Sequence, residues 1–231
     1  MMSERISVII PVLHEEKNIN EAITNVRSVE GGKEAEVIVV DADSKGSTIK
    51  RIRGSRTKKS VSAPGRGVQM NRGASVSTGS ILLFLHADTR LPNDALMRIL
   101  QTLEHDCISG GAFKLDFDRI SPLIRAFLFV QHARGALTRV PYGDQAIFIR
   151  KEVFDELGGY EPIPLFEDVD LMKRMRKRGY RIRILKERVI TSGRRFNEKG
   201  TLRTLAGNIL LISKYHLGVD PWVLYRRYYK N

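Results

Sequence analysis

The chain has 231 residues, of which 42% are hydrophobic and 28% are charged, a balance typical of a globular protein. Its single cysteine, Cys107, excludes an intrachain disulfide framework and a zinc site built from several cysteines. The longest apolar stretches, at 6–12 and 205–213, are far shorter than the roughly 20 residues of a membrane-spanning helix. We therefore expect a cytoplasmic protein, either soluble or bound peripherally at the inner face of the membrane.

The net charge of +13 comes from one end of the chain. Residues 172–231 contain 17 Lys and Arg against three Asp and Glu, whereas residues 1–171 are almost neutral. A basic end of this kind can attract anionic lipid, nucleic acid or a phosphorylated substrate. It can equally be a helix face in contact with water.

The last segment interleaves aromatic and basic residues, as in Trp222, Tyr225, Arg226 and Arg227. This pattern is typical of interfacial segments and favours contact with an anionic membrane surface or with another subunit in an oligomer. Packing of the aromatic rings on the rest of the domain explains the pattern equally well.

The first hundred residues predict alternating strands and helices. The predicted strands are 5–11, 36–41, 60–62 and 80–86. The predicted helices are 15–29, 47–53, 66–77 and 93–103. Strands that are apolar throughout indicate a parallel sheet buried on both faces, in which ligands bind beyond the carboxyl ends of the strands.

The alternation of predicted strands and helices is less regular after residue 105. Further strands are predicted at 109–117, 142–149, 181–185 and 189–191. Further helices are predicted at 121–137, 151–157, 168–178 and 197–217. We predict a single domain over 1–231, divided into a nucleotide-binding half (about 1–104), an acceptor-side half (about 105–196) and a C-terminal helix with an aromatic-basic tail (197–231).

Polar residues stand where ligands of such a sheet bind. Asp41 ends a buried strand, where a carboxylate is costly unless it is paired, and it can accept from a nucleotide base or a ribose. Asp43 and Ser47 more readily cap the following helix. A glycine-punctuated turn opens the next helix at Arg66, where free N–H groups and positive charge suit a phosphate.

Two acidic motifs have both a structural and a chemical interpretation. His86 and Asp88 lie two residues apart, so both can face one cation, or Asp88 can simply cap the next helix. Glu167, Asp168 and Asp170 precede a basic helix whose dipole favours acids. A carboxylate crowded by like charges has a raised pKa and can act as a general base.

In this order, the segments resemble the inverting family 2 glycosyltransferases, which have the GT-A fold. Val8–Glu16 is similar to the family opening V-I-I-P-x-x-N-E, and Glu36–Ser44 to E-I-I-V-V-D-D-G-S. Leu85–Asp88 stands at the D-x-D metal motif, and Glu167–Asp170 is similar to the E-D-x-D segment. The likeness spans about residues 5–196. It implies a GT-A-like α/β fold with a Rossmann-like half, a mixed, mainly parallel sheet flanked by helices, and a helical basic C-terminal extension.

The resemblance implies non-processive, inverting transfer of a sugar from a UDP- or GDP-sugar to the hydroxyl of a small-molecule or lipid-linked acceptor, assisted by Mg²⁺ or Mn²⁺. Asp168 is implied as the catalytic base, and Asp88, with His86, as the metal ligand. The implied donor-binding residues are Pro11, Glu15, Asp41, Arg66, Asn71, Ala87 and Asp88. The expected acceptor and sugar pocket consists of Gly110, Gly111, Asp144, Gln145 and Glu167. Arg194 and Arg195 are expected to clamp the diphosphate.

A narrower likeness is to a small bacterial subgroup linked to arsenosugar biosynthesis, which implies a small soluble acceptor. It is carried by the segments 65–71, 86–89, 142–146 and 191–196. The chain departs from the family pattern where His86 replaces the first Asp of the metal motif, which leaves less negative charge for the cation.

Two other functions are less well supported. A sugar-phosphate nucleotidyltransferase would need a Gly-rich basic loop after the first strand, where this chain has the acidic sequence His14-Glu15-Glu16. A nucleic-acid-binding module would explain the basic end, but no nucleic-acid motif accompanies it, so we expect no nucleic acid partner.

Overall fold

The computed structural model describes residues 4–105, 107–119, 121–194, 196 and 200–229. In this part of the chain, helices flank an eight-stranded sheet. The strands are β1 (Ile6–Val12), β2 (Glu36–Asp41), β3 (Thr57–Val61), β4 (Ile81–Phe84), β5 (Thr89–Arg90), β6 (Ile108–Phe117), β7 (Phe148–Arg150) and β8 (Arg181–Thr191). The helices are α1 (Ile19–Ser28), α2 (Arg66–Ser75), α3 (Ala95–Leu103), α4 (Pro122–Thr138), α5 (Lys151–Glu156), α6 (Glu167–Lys177), α7 (Thr201–His216) and α8 (Pro221–Tyr229).

The strand order across the sheet is β3-β2-β1-β4-β7-β6-β8-β5. The pairs among β3, β2, β1 and β4 are parallel, as is the pair of β6 with β8. The pairs that involve β7 or β5 are antiparallel. The sheet is therefore mixed and mainly parallel, as predicted, and it joins strands from both predicted halves.

Both faces of the sheet are buried because side chains alternate along each strand. Val37 and Val39 of β2 lie on the face covered by α1 and α3, whereas Ile38 and Val40 lie on the face covered by α2, α5 and α6. The strands β1, β2 and β4 are mainly apolar because neither face of the sheet meets water there, whereas β3 and β8 carry exposed polar side chains.

The predicted elements differ from the observed ones mainly in the second half. The prediction of a strand over 142–149 is wrong at its start, where residues Gly143–Gln145 form a 3₁₀ turn before β7. The two strands predicted at 181–185 and 189–191 are one strand, β8, whose pairing with β6 shifts register between Ala112 and Lys114. The helix predicted at 47–53 is only a 3₁₀ turn at Ile49–Arg51.

The C-terminal part is helical, as predicted. It consists of α7 and α8, and the aromatic-basic segment forms most of α8. The start of the predicted helix, at 197–199, lies outside the described residues. Among the helices that the structure describes, none combines the length and the apolar character required to cross a bilayer.

Candidate active site

The ends of β2, β1 and β4 lie side by side and form one wall of the site. Val12, at the end of β1, pairs with Asp41, at the end of β2, and β1 pairs on its other side with β4. Gln69 of α2 fastens the first two ends together, because its Nε2 donates to the carbonyls of Val12 and Val40, each at 2.8 Å. The predicted residues at or just beyond these strand ends are Pro11, Asp41, His86, Ala87 and Asp88.

Asp41 is fully buried, and its carboxylate organises the loop that follows β2. It accepts three backbone hydrogen bonds, from the N–H groups of Asp43 at 3.0 Å, Thr48 at 2.9 Å and Ile49 at 3.2 Å. Thr48 Oγ1 accepts in turn from the N–H of Glu15 at 3.1 Å, which joins this loop to the one after β1. Since both oxygens are engaged by the loop, direct contact of Asp41 with a nucleotide base stays a prediction.

We expect Asp41→Ala to lower the free energy of unfolding by about 3 kcal/mol, because three N–H groups lose a buried charged acceptor. Urea denaturation measures this change. Asp43→Ala is the matched control, since its carboxylate lies in the same loop but is exposed to water, and we expect a clearly smaller loss there. An Asp41 variant as stable as the Asp43 variant would contradict the anchoring role.

Two further predicted donor residues hold neighbouring segments in place. The Oε2 atom of Glu15 accepts from Asn18 Nδ2 at 2.7 Å, just before α1 begins. Asn71 of α2 makes a two-way bridge to Tyr160: its Nδ2 donates to the carbonyl of Tyr160, and its Oδ1 accepts from the N–H of Tyr160, each at 2.8 Å. Asn71 therefore joins α2 to the segment that leads into α6.

Two buried carboxyl groups beside Arg66 have strongly raised pKa values. Burial, and then the charge of Asp168, raise the pKa of Glu167 from 4.5 to about 7, with Arg66 opposing the rise. The same two causes raise the pKa of Asp144 from 3.8 to about 7, with Arg66 opposing and Asp88 adding a smaller increase. Groups from four separate parts of the chain therefore meet at one place.

Asp168 lies in the first turn of α6, where two backbone N–H groups fix its carboxylate. Its Oδ1 accepts from Val169 at 2.8 Å, and its Oδ2 accepts from Gly143. A Cβ on Gly143 would lie 3.1 Å from Asp168 Oδ2 and 3.5 Å from His86 Nε2, so the glycine keeps the space between them clear. Burial raises the pKa of Asp168, although both N–H groups and Arg66 oppose this.

The raised pKa values make stability depend on pH. Between about pH 4 and pH 7 the folded state holds protons on Asp144 and Glu167 that the unfolded state has lost, so the free energy of unfolding falls as the pH rises. We expect Asp144→Asn to make this fall shallower, because one of the two titrating groups is removed. Urea denaturation at pH 5 and pH 8 measures the difference. Asp155→Asn replaces an exposed aspartate and should leave the pH dependence of the free energy of unfolding unchanged. The same pH dependence in both variants would contradict the raised pKa of Asp144.

Asp88 is exposed beyond β4, and Thr191 Oγ1 at the end of β8 donates to its Oδ1 at 3.4 Å. In the residues that the structure describes, no three His, Cys, Asp or Glu side chains are grouped to hold a metal ion. A Mg²⁺ or Mn²⁺ ion on a diphosphate needs only one or two carboxylates from the protein. The Oδ1 atom of Asp144 is buried without a hydrogen-bond partner among the described residues, and Asp88 acts electrostatically on this group. The carboxylates of Asp88 and Asp144 therefore fit a Mg²⁺ or Mn²⁺ ion bound to a diphosphate.

Two glycines predicted to line the acceptor pocket have a structural role inside the sheet, and their contact with an acceptor stays a prediction. Gly110 and Gly111 pair with Ile149 and Phe148 inside the sheet. A Cβ on Gly110 would lie 2.6 Å from the carbonyl oxygen of Phe148, and one on Gly111 would lie 2.1 Å from that of Arg183. These positions are glycine because neighbouring backbone leaves no room for a side chain.

Gln145 supports the site from behind. It is buried, its Nε2 donates to the carbonyl of Phe113 at 2.8 Å, and its Oε1 accepts from the N–H of Tyr142 at 2.9 Å. The side chain therefore pins the turn that carries Gly143 and Asp144 to β6. Contact of Gln145 with sugar hydroxyls stays a prediction.

The diphosphate clamp stays a prediction. Arg194 is exposed on the segment after β8, and Arg195 lies outside the described residues. Gly143 and Thr191, which contact Asp168 and Asp88, were not predicted as site residues. A Pro-Tyr-Gly-Asp turn was the available signal for Gly143, because glycine in such a turn gives other groups access to the backbone.

Comparison with known proteins identifies the class. Residues 7–158 match the family model described as Glycosyl transferase family 2, and because this is well over half of the chain, the chain belongs to that family of enzymes. The match ends before α6, so Asp168 lies beyond it. No curated protein matches the chain by sequence.

Several solved structures share the fold. The mannosyltransferase PcManGT from Pyrobaculum calidifontis, in complex with GDP-Man and Mn²⁺, has a TM-score of 0.66 and 20% identity over 81% of this chain and 56% of its own. TarS from S. aureus has a TM-score of 0.64 and 18% identity over 81% of this chain and 60% of its own. Glucosyl-3-phosphoglycerate synthase from Mycobacterium tuberculosis, in complex with Mn²⁺, UDP and glucosyl-3-phosphoglycerate, has a TM-score of 0.62 and 19% identity over 90% of this chain and 79% of its own.

These likenesses confirm the predicted GT-A-like fold. The chain spans less than two thirds of the length of the first two structures.

Proposed function

We propose that the protein transfers a sugar from a nucleoside-diphosphate sugar to an acceptor hydroxyl with inversion at the anomeric carbon. The observation that carries this proposal is the meeting of Asp88, Asp144, Glu167 and Asp168 with Arg66 beside the strand ends. Membership of the glycosyl transferase family supports the class of reaction.

Asp168 acts as the general base in a single displacement. Its carboxylate takes the proton of the acceptor hydroxyl, and the oxygen forms a bond to the anomeric carbon of the donor sugar. The bond from that carbon to the phosphate oxygen breaks, and its electron pair leaves with the nucleoside diphosphate. The raised pKa of Asp168 makes the carboxylate a better proton acceptor than an exposed aspartate. The N–H groups of Gly143 and Val169 hold the carboxylate in place.

The other charged groups serve the donor. Asp88, with His86 beside it, would hold a divalent cation, which offsets negative charge on the leaving diphosphate when it is bound. Arg66, the first residue of α2, adds a positive charge at the N-terminus of the helix, where the helix dipole is also positive. Pro11, Glu15 and the loop anchored by Asp41 then shape the pocket for the nucleoside.

The donor is a UDP- or GDP-sugar in this proposal, since the similar structures include one with GDP-Man and one with UDP. The likeness to the arsenosugar-linked subgroup favours a small soluble acceptor. Absence of the processive Q-x-x-R-W motif from the sequence favours transfer of one sugar at a time.

A thermal-shift screen of nucleoside diphosphates and their sugar conjugates, with and without Mn²⁺, tests the proposal. A ligand that binds only the folded state raises the free energy of unfolding, by about 2.7 kcal/mol when its concentration is a hundred times its Kd. The melting temperature rises as a result. We expect a shift from one nucleotide base, and a larger one when Mn²⁺ is present. No shift from any nucleotide, with or without the cation, would contradict donor binding.

A further inference from the structure

Large apolar side chains are exposed mainly on three helices. Of the thirteen exposed large hydrophobic residues in the described parts of the chain, ten lie on α4, α7 and α8 or directly after α7. These are Leu123, Phe129, Val130, Leu137, Leu202, Ile209, Leu210, Leu217, Trp222 and Tyr225. Contacts join α4 to α7 and α7 to α8, so the three helices lie next to one another, and we name their exposed side the α4–α7–α8 face.

The helix α4 is apolar on two opposite sides. Ile124 and Leu128 are buried against the sheet and belong to the core. Leu123, Val130 and Leu137, each seven residues from the next, form a stripe on the outer side and are 48%, 63% and 85% exposed. A helix that is hydrophobic on all sides is normally buried, whereas the outer side of α4 is exposed. The apolar residues on that side therefore indicate a contact surface.

The other two helices continue this surface. Leu205 of α7 is buried, whereas Ile209 and Leu210, about one turn further on, are more than half exposed. Leu224 of α8 is buried, while Trp222 and Tyr225 are exposed beside two arginines. Exposed apolar patches of this extent mark sites that contact a partner or a membrane.

The charge of the face identifies the partner. Together α4, α7 and α8 contain six Lys or Arg and no Asp or Glu. Arg134 is turned inward onto the Tyr142 ring, which leaves five cations for the face, against the exposed Asp220 directly before α8. A second copy would bring two sets of cations together, and a nucleic acid would leave the apolar side chains in water. An anionic lipid surface satisfies both features, because it attracts the cations and takes up the apolar side chains.

We propose that the α4–α7–α8 face docks the protein peripherally on anionic lipid membranes. The proposal extends the surface well beyond the C-terminal aromatic-basic segment, since α4 and most of α7 precede that segment. The helices lie in the interface without crossing the bilayer, with Trp222 and Tyr225 at the level of the headgroups.

Co-sedimentation of the full chain with lipid vesicles tests the proposal. The vesicles are phosphatidylcholine alone, or phosphatidylcholine mixed with phosphatidylglycerol, each at low and at high salt. We expect binding to the mixed vesicles that weakens as salt is added, and much weaker binding to phosphatidylcholine alone. Absence of binding to the mixed vesicles would overturn the proposal.

Charge variants test the basic part of the face. We expect Arg226→Gln with Arg227→Gln to weaken binding to the mixed vesicles about thirtyfold, from the usual contribution of two cations near an anionic surface. Arg51→Gln with Arg53→Gln removes two exposed arginines far from the face and serves as the control. Equal losses from both pairs would show a non-specific charge effect and overturn docking through this face.

Apolar variants test the other part. We expect Phe129→Ser with Leu210→Ser to weaken binding about tenfold or more, because two apolar side chains no longer enter the lipid. Val61→Ser with Ile190→Ser, two exposed apolar residues elsewhere, should leave binding unchanged. Because all four residues are exposed, the melting temperatures of the variants should match that of the parent.

Light scattering after size exclusion distinguishes the competing occupant. A monomer that binds mixed vesicles supports the proposal. A dimer that Phe129→Ser with Leu210→Ser dissociates, together with no vesicle binding, would assign the face to self-association and overturn it.

Discussion

Replacing Asp168 by asparagine should lower the turnover number by roughly 10²–10⁴-fold, the usual cost of removing a general base. Asparagine keeps the shape of the side chain and one oxygen that can accept a hydrogen bond from the N–H of Gly143 or Val169. It cannot take the proton from the hydroxyl of the acceptor substrate. The Kd of the donor should remain unchanged, because the base contacts the acceptor. Steady-state kinetics with the donor found by the thermal-shift screen, and calorimetric titration of that donor, measure the two quantities.

The matched control is Asp170→Asn, which makes the same chemical change two residues further along α6. Asp170 pairs with Arg174 at 2.6 Å, so its loss should affect stability more than turnover. The variants Glu167→Gln and Asp144→Asn show whether one of these two neighbouring acids, rather than Asp168, is the general base. Near-normal turnover in Asp168→Asn, with a large loss in one of these two variants, would move the base role to that residue.

Asp88→Ala should lower kcat/KM by roughly 10²–10³-fold, because a carboxylate that holds the cation on the diphosphate is removed. The effect of Mn²⁺ on donor binding should disappear as well, which a melting-temperature titration with and without Mn²⁺ measures. Since Asp88 is exposed and its hydrogen bond from Thr191 is long, at 3.4 Å, the protein should remain folded.

Asp94→Ala removes another partly exposed acid, one that pairs with Arg98 on α3, and should leave the Mn²⁺ response intact. If Mn²⁺ still strengthened donor binding in both Asp88→Ala and Asp94→Ala, the cation would be held by groups other than Asp88. His86→Ala then measures how much the histidine at the first position of the motif contributes.

The fold could be predicted where a segment's environment follows from its composition. The strand Glu36–Asp41 was predicted with its observed bounds, because four consecutive apolar residues between two acids indicate a short strand buried on both faces. The Pro-Tyr-Gly-Asp turn is visible in the sequence, but its extension through Gln145 could not be predicted, since it depends on the hydrogen bond from Gln145 to Phe113, a residue 32 positions earlier. Local propensity contains no information about such a partner.

The site shows the same division. Spacing and resemblance selected Asp88 and Asp168, and the structure brings both to the group around Asp144. The sequence favours a capping role for Asp43 and Ser47 more than for Asp41, yet Asp41 too accepts backbone hydrogen bonds from its loop. For Gly110 and Gly111, the sequence does not distinguish a glycine pair that lines a pocket from one that packs against a neighbouring strand. Only the register of the sheet separates these alternatives.

The amide of Asn71 both donates to and accepts from the backbone of Tyr160, and the carboxylate of an aspartate, which has the same shape but no donor, would lose half of this bridge. Helix α2, whose first residue faces the diphosphate in our proposal, is thus mechanically linked to the segment that leads into α6. A small tilt of α2 as the nucleotide settles would be transmitted toward the proton-accepting turn. We therefore expect ordered kinetics, in which the nucleotide sugar enters first and the acceptor follows.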